Sequence, residues 1–520
     1  MKRIFIAAML VCISVAEVNA ADLASICTGR DRVLGEGTVV EGIIVSDYRS
    51  ANNALNPNLE WNKVDYAVSH KTAYLQTKDG SCGIRIIFST QYLTRFKRYS
   101  LVSVDLSNCK VQVGKSPVCY TVTGVNPSKV SVKQENVIPD AKVKKLSQLT
   151  DGDLYTQVTV SGLEFLSKQG SFSNVDEECV VASPMNYTIV DKRYGAGDGW
   201  AQLLEDAEGN SIYMQVNSLC QWRRNNLGVP AGVGNVTGIL VNEENPRYGR
   251  SYGKYSIRPL FREDIAIPAA NATSFNVISQ WTWDRNYKRG LLLRDADFVE
   301  WMTEPGVTGD AVISETGNGL LYTDSGCSYY PSLEFDTRYC SDHNGRAARV
   351  ASSLCFTGRS SNWLKPGAGN SAIIVEASTK GISGKGLLFN FSFRAGEGTY
   401  ASASGIPAEW TVEYSTDGVN YLPTGFSACL RPLSWEQTYD KEAGMLPPPY
   451  SAAIGFTEFS IALPASLLGQ EKVFVRIIPS SIVMTCAKSD PAAEINSDKF
   501  NGENDKPVNI YLGMASIKAY

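Results

Sequence analysis

The chain contains the stretch Val39-Val40-Glu41-Gly42-Ile43-Ile44, and a related stretch, Thr159-Val160-Ser161-Gly162-Leu163-Glu164, follows later. Two further apolar segments come after each stretch, at 74–80 and 84–88 in the first case and at 201–206 and 212–216 in the second. A pattern that recurs in the same order indicates a duplicated structural unit. Because tyrosine, glycine and runs rich in threonine and valine are frequent in the chain as a whole, β structure is favoured, and the unit is predicted to be a small β-barrel.

Each unit is predicted to have the order strand, strand, strand, short helix, strand, strand. In the first unit the strands are 39–45, 74–77, 84–88, 101–106 and 120–125, with a helix over 91–99. In the second unit they are 158–165, 201–204, 212–216, 233–241 and 255–259, with a helix near 217–226. A helix between the third and fourth of five strands is typical of the OB-fold, a partly open Greek-key barrel. Gly42 and Gly162 fit the bend that the first OB strand needs to serve both halves of the barrel.

Turn-rich segments at 136–140 and 267–272 mark the predicted domain boundaries. We therefore predict OB-like domains over 22–137 and 138–268, and a third domain over 269–520. In that last part, an alternating segment at 387–393 and the hairpin signal Asp417-Gly418 after 410–415 indicate strands. Several strands joined by long polar connections are typical of a jelly-roll β-sandwich. The predicted fold class is all-β, with two tandem OB-like barrels followed by a jelly-roll β-sandwich.

Residues 1–20 have the pattern of a secretory signal peptide. The basic pair Lys2-Arg3 precedes a mostly apolar segment, 4–16, and Ala20 is a small residue of the kind required before the cleavage site. Cys12 opens a lipoprotein alternative, but Val11 stands where Gly, Ala or Ser is normally required. No later stretch has the roughly 18 apolar residues of a transmembrane helix. We therefore expect an exported protein without an integral membrane segment after processing, in the periplasm, on the outer-membrane surface or outside the cell.

Export would permit disulfide bonds. Of the 12 cysteines, Cys12 would be removed with the signal peptide, so an odd number remains and at least one thiol is free or paired externally. Cys109 and Cys119 flank a predicted hairpin, so these two are the candidate pair for a disulfide. The alternative is that most of the cysteines are buried and reduced.

The sequence argues against an enzyme. It has 2 histidines, His70 and His343, which leaves little room for histidine-based metal sites or for a Ser-His-Asp triad. Its glycine clusters at 195–199 and 232–234 are not followed by a convincing helix, so they lack the features of a phosphate-binding loop. A pair of glycosidase carboxylates depends on three-dimensional separation and stays open as an alternative.

Loop aromatics are the candidate ligand contacts of the third domain, namely Trp363, Trp435, Tyr439 and Tyr450. An exposed ring can stack on a pyranose face while neighbouring polar groups bind the sugar hydroxyls. The alternative is that the loop tryptophans pin their loops to the sandwich. Trp410 lies in an alternating strand and is predicted to belong to the core.

The one cofactor that the sequence suggests is a structural calcium ion. Glu503 and Asp505, with Asn501 and Asn504 beside them, precede the last predicted strand. Carboxylate and carbonyl oxygens are ligands that calcium prefers. The alternative is a solvated loop without a metal ion.

The OB-like units also raise the alternative of a single-stranded nucleic-acid binder. Such barrels bind strands by aromatic stacking in a basic groove. The first unit offers six suitable side chains, Tyr74, Arg85, Tyr92, Arg95, Lys97 and Arg98. The net charge of the whole chain is −4, so any basic surface would be confined to this unit.

Several motifs carry a resemblance to known families. The motif V-x-E-G-x-I-x-S-D over 39–47, the turn L-Q-x-x-D-G over 75–80 and the segment Tyr255-Ser256-Ile257-Arg258-Pro259 resemble a domain of unknown function in exported and surface proteins of Bacteroidetes. The segment 410–418 resembles galactose-binding-like jelly rolls and carbohydrate-binding modules. The second resemblance implies sugar or surface binding. The expected function is therefore a secreted or surface-exposed, non-catalytic protein that recognises a glycan or another surface partner, and the alternative is an extracellular nucleic-acid binder or nuclease accessory.

Overall fold

The computed structural model describes residues 21–56, 58–60, 63–91, 96–166, 172, 180–182, 188–190, 201–217, 220, 222, 229–245, 250–251, 253–269, 274–281, 307–308, 311–314, 316–324, 328–334, 351–359, 363–365, 369–370, 372–398, 405–429, 457–484 and 507–520. The predicted signal peptide lies outside these ranges. Strands dominate the described part, whose one α-helix is α1, Ala67–Lys71. Short 3-10 helices are Leu23–Ile26, Pro127–Lys129, Leu146–Gln148, Asp151–Asp153, Arg262–Asp264 and Ala465–Leu467. None of the described helices is long and apolar enough to cross a bilayer. The predicted all-β class is confirmed.

The first unit is an eight-stranded sheet in the order β1-β8-β9-β6-β5-β2-β7-β10. Its strands and a small separate hairpin, β3–β4, are β1 Arg32–Val33, β2 Val39–Ile44, β3 Asn58–Glu60, β4 Lys63–Val64, β5 Thr72–Gln76, β6 Gly83–Phe88, β7 Ser100–Asp105, β8 Lys110–Lys115, β9 Val118–Val125 and β10 Val130–Gln134. Strand β2 lies between β5 and β7, and β6 pairs with β9 in parallel. This is the strand order of an OB-fold, as predicted. The predicted helix over 91–99 lies partly outside the described residues.

The second unit repeats that topology and closes into a barrel. Its strands are β11 Val143–Lys144, β12 Gln157–Phe165, β13 Val180–Ala182, β14 Thr188–Val190, β15 Gln202–Asp206, β16 Ser211–Met214, β17 Gly234–Val241, β18 Glu244–Asn245, β19 Arg250–Ser251, β20 Ser256–Arg258 and β21 Ile265–Ala266. The sheet runs β11-β12-β15-β16-β20-β17-β21, and an added pairing of β12 with β17 closes it. Strands β16 and β20 are parallel, like β6 and β9. Most of the predicted helix near 217–226 lies outside the described residues.

Strand β12 changes its pairing partner in the middle, and Gly162 lies at the change. The residues up to Val160 pair mainly with β17, whereas those from Leu163 onward pair with β15. Gly162 has a φ of 72°, a left-handed conformation that glycine adopts without steric cost. Gly42 in β2 has a different reason to be glycine, because a Cβ there would lie 2.8 Å from Cγ of Leu75. The predicted bend therefore depends on backbone conformation at Gly162 and on close packing at Gly42.

The third unit is a sandwich of two sheets. Its strands, with a small separate hairpin β28–β29, are β22 Asn276–Trp281, β23 Val307–Thr308, β24 Ala311–Ile313, β25 Leu320–Thr323, β26 Ser328–Glu334, β27 Ala351–Arg359, β28 Leu364–Lys365, β29 Gly369–Asn370, β30 Ile373–Ala377, β31 Leu387–Gly398, β32 Gly405–Ser415, β33 Leu422–Cys429, β34 Thr457–Leu463, β35 Val473–Met484 and β36 Pro507–Ala519. The six-stranded sheet runs β26-β27-β36-β31-β34, with β22 also paired to β36. The seven-stranded sheet runs β23-β24-β25-β30-β35-β32-β33. Apolar residues alternate along the strands of both sheets, so one face of each sheet is buried against the other.

The predicted disulfide between Cys109 and Cys119 is wrong. Strands β8 and β9 pair so that Lys110 faces Thr123 and Gly114 faces Cys119. The two cysteines therefore lie near opposite ends of the hairpin, too far apart along the ladder to bond. The five cysteines whose state the structure gives are reduced: Cys27, Cys82, Cys109, Cys119 and Cys220.

Candidate functional site

Trp363, which was predicted to stack on a ligand, lies inside the sandwich. Its side chain is fully buried. Its ring packs edge-on against Phe356 and Trp410, with centroids 6.3 Å and 5.9 Å away. A ring enclosed in this way cannot meet a ligand, so the predicted binding role of Trp363 is wrong and the alternative, a pinning role, is confirmed. Trp410 is buried, as predicted.

The other predicted contacts lie outside the described residues. These are the aromatics Trp435, Tyr439 and Tyr450 and the acidic residues Glu503 and Asp505. Within the described ranges, no group of three or more His, Cys, Asp and Glu side chains is placed to hold a metal ion. The binding role of the three aromatics and the structural calcium site before β36 stay predictions.

The face of the first barrel that was considered for nucleic acid is occupied by the second barrel. Tyr74 on β5 is fully buried, and its ring lies 5.5 Å from that of Tyr155, centroid to centroid. Arg85 on β6 lies over the same Tyr155 ring at 5.4 Å. Arg98 forms an ion pair with Asp264 at 2.7 Å. Strands 2 and 3 carry the binding face of OB-folds, so here that face is used to dock the next module.

A buried arginine fixes the contact between the two barrels. Arg258 on β20 is fully buried and pairs with Glu243 at 2.6 Å. Asn52 of the first barrel accepts a hydrogen bond from Arg258 Nη1 at 3.0 Å, and its own amide donates to the carbonyls of Gln215 and Pro259 at 2.8 and 2.7 Å. A buried ion pair is tolerated when further hydrogen bonds satisfy its remaining polar atoms. The network therefore sets one arrangement of the barrels.

The second barrel uses its own strands 2 and 3 to hold the sandwich. Glu205 on β15 is fully buried and pairs with Lys518 of β36 at 2.7 Å. Asn390 of β31 donates a hydrogen bond to the same carboxylate. Beside them, Leu203 packs with Met514. These sandwich residues belong to the six-stranded sheet, so the barrel covers the outer face of that sheet.

The seven-stranded sheet has its outer face on the opposite side of the sandwich, away from the barrel. Along β35, Val473, Val475 and Ile477 belong to the core, so the residues that alternate with them point outward. The register places four outward residues side by side on β25, β30, β35 and β32, namely Tyr322, Ile374, Arg476 and Glu413. Among the described residues, we define the open face as Tyr322, Glu376, Glu413, Tyr421 and Arg476, together with Ile374 and Phe474, which are each 8% exposed and pack against the two tyrosines.

A tyrosine from the β32–β33 turn completes the open face. The guanidinium of Arg476 lies 3.7 Å from the ring centroid of Tyr421 and pairs with Glu413 at 2.6 Å. The turn is held by Asp417, whose Oδ1 accepts hydrogen bonds from the backbone N–H groups of Val419 and Asn420 at 2.8 and 2.7 Å. These hydrogen bonds hold the pKa of Asp417 well below its usual range. The turn therefore presents Tyr421 in a fixed position.

The two tyrosines of the open face are neutral at ordinary pH. Burial raises the pKa of Tyr322 to about 12, and the nearby Glu376 carboxylate adds to the rise. Burial also raises the pKa of Tyr421, against the opposing effect of Arg476. A neutral phenol can both donate and accept a hydrogen bond. The face therefore combines two amphipathic rings with a charged donor and two carboxylate acceptors.

Apolar surface adjoins these polar groups. Val419 and Leu422, beside Tyr421, are 78% and 55% exposed. Ile374 and Phe474 are buried and form a small apolar cluster against which the partly buried rings of Tyr322 and Tyr421 pack, so the rings and not the cluster supply the accessible surface. Flat aromatic and aliphatic surface next to hydrogen-bonding groups suits a ligand that is apolar on one face and polar at its edge.

Sequence analysis did not identify this face. Its residues are spread over 322–476 and meet because four strands align in one row. The alternation in Val473-Phe474-Val475-Arg476-Ile477 was a usable signal, because it puts Phe474 and Arg476 opposite the core residues. The sequence did not show which sheet the barrel would cover, so it could not show which of the two outer faces is open.

Comparison with known proteins gives weak matches. No family model matches the sequence, and no curated protein matches it. Among solved structures, the cleaved K1 adhesin domain of Lys-gingipain from Porphyromonas gingivalis W83 is 14% identical, with 38% of this chain and 90% of that chain covered and a TM-score of 0.19.

Two matched structures are carbohydrate-binding modules. One, CBM28, specific for non-crystalline cellulose, is 9% identical over 36% of this chain and 83% of its own, with a TM-score of 0.16. The other, from the β-sandwich superfamily of carbohydrate-binding modules with promiscuous specificity, is 9% identical over 69% of this chain and 97% of its own, with a TM-score of 0.20. At such TM-scores these similarities carry no argument about function.

Proposed function

We propose that this chain is a non-catalytic glycan-binding protein whose recognition surface is the open face of the sandwich, on an exported or surface-displayed molecule. The observation that carries the proposal is the row Tyr322, Arg476 and Glu413, with the Tyr421 ring over Arg476, on the sandwich face that the described residues of the second barrel do not cover. A sugar ring has apolar C–H faces and a polar rim of hydroxyls. Tyrosine rings match the first, and the arginine and carboxylates match the second.

The β-barrels act in this proposal as a rigid support. Their strand faces are engaged by Tyr155 and Lys518 of the following modules. The nucleic-acid alternative is not favoured, because Tyr74, Arg85 and Arg98 contact the second barrel and are not available to bind a nucleic acid. Tyr92 and Arg95 lie outside the described residues, and Lys97 remains as an exposed side chain 3.8 Å from Glu135.

Affinity electrophoresis in gels that contain soluble polysaccharides tests the proposal. Tyr421→Ala removes the ring over Arg476, and we expect the variant to bind about tenfold more weakly, as the loss of one aromatic contact implies. Tyr322→Ala is expected to weaken binding by a similar factor. Tyr120→Ala, at a half-buried tyrosine of the first barrel, is the matched control and should be retained like the unaltered protein.

Two results would contradict the proposal. Equal retention of the Tyr421→Ala variant and the unaltered protein in every gel that retards the latter would remove the open face from the site. Release of reducing sugar from the same polysaccharides would show an enzyme instead. Trp435→Ala in the same gels tests the predicted loop contact independently of the open face.

A further inference from the structure

Two thiols of the first barrel lie in contact. The Sγ atoms of Cys27 and Cys82 are 3.2 Å apart, and both side chains are partly buried. Their separation is so small that an S–S bond can close without displacing the elements that carry them. The other three thiols whose state the structure gives have different surroundings: Cys109 is in the barrel core, Cys119 accepts a hydrogen bond from the Tyr155 hydroxyl at 3.4 Å, and Cys220 is buried in the second barrel.

Ordered elements hold each of the two cysteines. Cys27 directly follows the 3-10 helix Leu23–Ile26, whose two apolar residues are buried in the core of the first barrel. Cys82 lies in the β5–β6 hairpin, where its carbonyl accepts a hydrogen bond from the Thr77 backbone N–H at 3.0 Å. The contact therefore joins a terminal segment to a hairpin far along the chain.

We propose that Cys27 and Cys82 are a disulfide-forming site, closed by exchange with an exogenous disulfide such as oxidised glutathione or the disulfide of a thiol oxidoreductase. The Cys82 thiolate attacks one sulfur of that disulfide and releases the first thiolate. Cys27 then loses its proton to solvent, attacks the Cys82 sulfur and releases the second thiolate. The two cysteines lose two electrons, and the exogenous disulfide gains them and becomes two thiols.

The environment favours this order of attack. The contact with the Cys27 thiol lowers the pKa of Cys82, although burial opposes the effect. The same contact, with burial, raises the pKa of Cys27. Since the thiolate is the nucleophile, Cys82 is the cysteine that reacts first.

The bond would stabilise the hairpin that docks the second barrel. The carbonyl of Gly80 in the same hairpin accepts a hydrogen bond from Lys142 Nζ at 2.6 Å, and the backbone N–H of Asp140 donates to the Lys78 carbonyl at 2.8 Å. Closing the loop between Cys27 and Cys82 would reduce the freedom of the unfolded chain and so favour the folded barrel.

Peptide mapping of the full chain tests the site. The reduced, folded protein is incubated with oxidised glutathione, alkylated, digested without reductant and analysed by mass spectrometry. We expect a linked pair of peptides that contain Cys27 and Cys82, and a rise of roughly 5–10 °C in the unfolding temperature over the reduced protein. Cys27→Ser should abolish both changes, whereas Cys119→Ser, the matched control, should leave both in place.

Two outcomes would overturn the site. One is alkylation of both Cys27 and Cys82 after oxidation of the folded protein. The other is a map in which either residue is joined to a different cysteine. Both outcomes are read on the unaltered chain, so the test remains decisive even if Cys27→Ser fails to fold.

Discussion

At the scale of single residues, Trp363 shows how costly a buried ring is to remove. It fills the space between Phe356 and Trp410 in the sandwich core and is fully buried. Trp363→Ala should lower the free energy of unfolding by about 3–5 kcal/mol, because the change leaves a cavity as well as losing buried apolar area. Chemical denaturation of the variant and the unaltered chain measures this difference.

Trp363→Phe serves as the control, since it keeps a ring in the same place and should lose less stability than the alanine variant. An exposed Trp363 would make both substitutions nearly neutral, and such a result would contradict its place in the core. At temperatures where the alanine variant is folded, its retention by polysaccharide should match that of the unaltered chain, because Trp363 has no access to the open face.

The residue scale is also where the sequence was least informative. Trp363 stands among Arg359-Ser360-Ser361-Asn362 and Lys365-Pro366-Gly367, a polar setting that is typical of a loop. Its burial depends on Phe356 and Trp410, which come from different strands. Local composition does not contain such long-range contacts. The contact between the Cys27 and Cys82 thiols was missed for the same reason.

At the scale of elements, strand β12 of the second barrel depends on the left-handed backbone conformation of Gly162. Gly162 has a φ of 72°, and a Cβ at this position would meet no atom within 4 Å. Gly162→Ala should therefore destabilise the protein by about 1–2 kcal/mol through backbone strain alone. Thermal or chemical unfolding of the variant measures the loss.

Gly162→Asn is the matched control, because asparagine tolerates the left-handed region better than alanine. The free energy of unfolding of the Gly162→Asn variant should lie between those of the unaltered protein and the Gly162→Ala variant. If the Gly162→Ala variant were as stable as the unaltered protein, β12 would not need a positive φ at residue 162 to change its pairing partner. That result would contradict the explanation of the bend.

Elements were the most predictable level. The five strands predicted for each barrel were found because Val39–Ile44 and Gln157–Phe165 begin two copies of one pattern, and a period of two residues identifies strands directly, whereas the added strands such as β8 and β10 were not predicted. Pairing between strands followed from the fold class that five strands in this order imply. The open face was not predictable, because it depends on which sheet of the sandwich the barrel covers, and that contact joins Glu205 to Lys518 across more than half of the chain.

At the scale of the whole molecule, the contact between the second barrel and the sandwich contains a carboxyl group with a raised pKa. Glu458 is almost fully buried and accepts a hydrogen bond from the Leu203 backbone N–H at 2.7 Å. Burial raises the pKa of Glu458 to about 8, and the negative charge of Glu205 adds to the rise. In the unfolded chain a glutamate titrates at about 4.3. The stabilisation from neutral Glu458 is therefore full below about pH 4.3 and is lost as the pH rises through 8.

Glu458→Gln keeps a neutral side chain at every pH. Relative to the unaltered protein, the unfolding temperature of the variant should rise steadily from about pH 5 to about pH 8 and level off above it, and scanning fluorimetry from pH 5 to pH 9 measures the gain. Glu471→Gln is the control, because Glu471 is an exposed surface residue and its difference from the unaltered protein should be small and nearly constant with pH. A flat difference for Glu458→Gln as well would place the Glu458 carboxyl in water and contradict the buried contact.

In both barrels the second and third strands of the OB-fold bind the module that follows in the sequence, so the three modules are arranged in chain order. The first barrel closes on Tyr155 of the second, and the second closes on Lys518 of the sandwich, so each module is capped by the one that follows it. A soluble competitor for either barrel face would first have to pull two modules apart, and its apparent affinity would fall by the free energy of that separation. In the proposed function, recognition is therefore left to the sandwich, whose orientation is set by these two contacts.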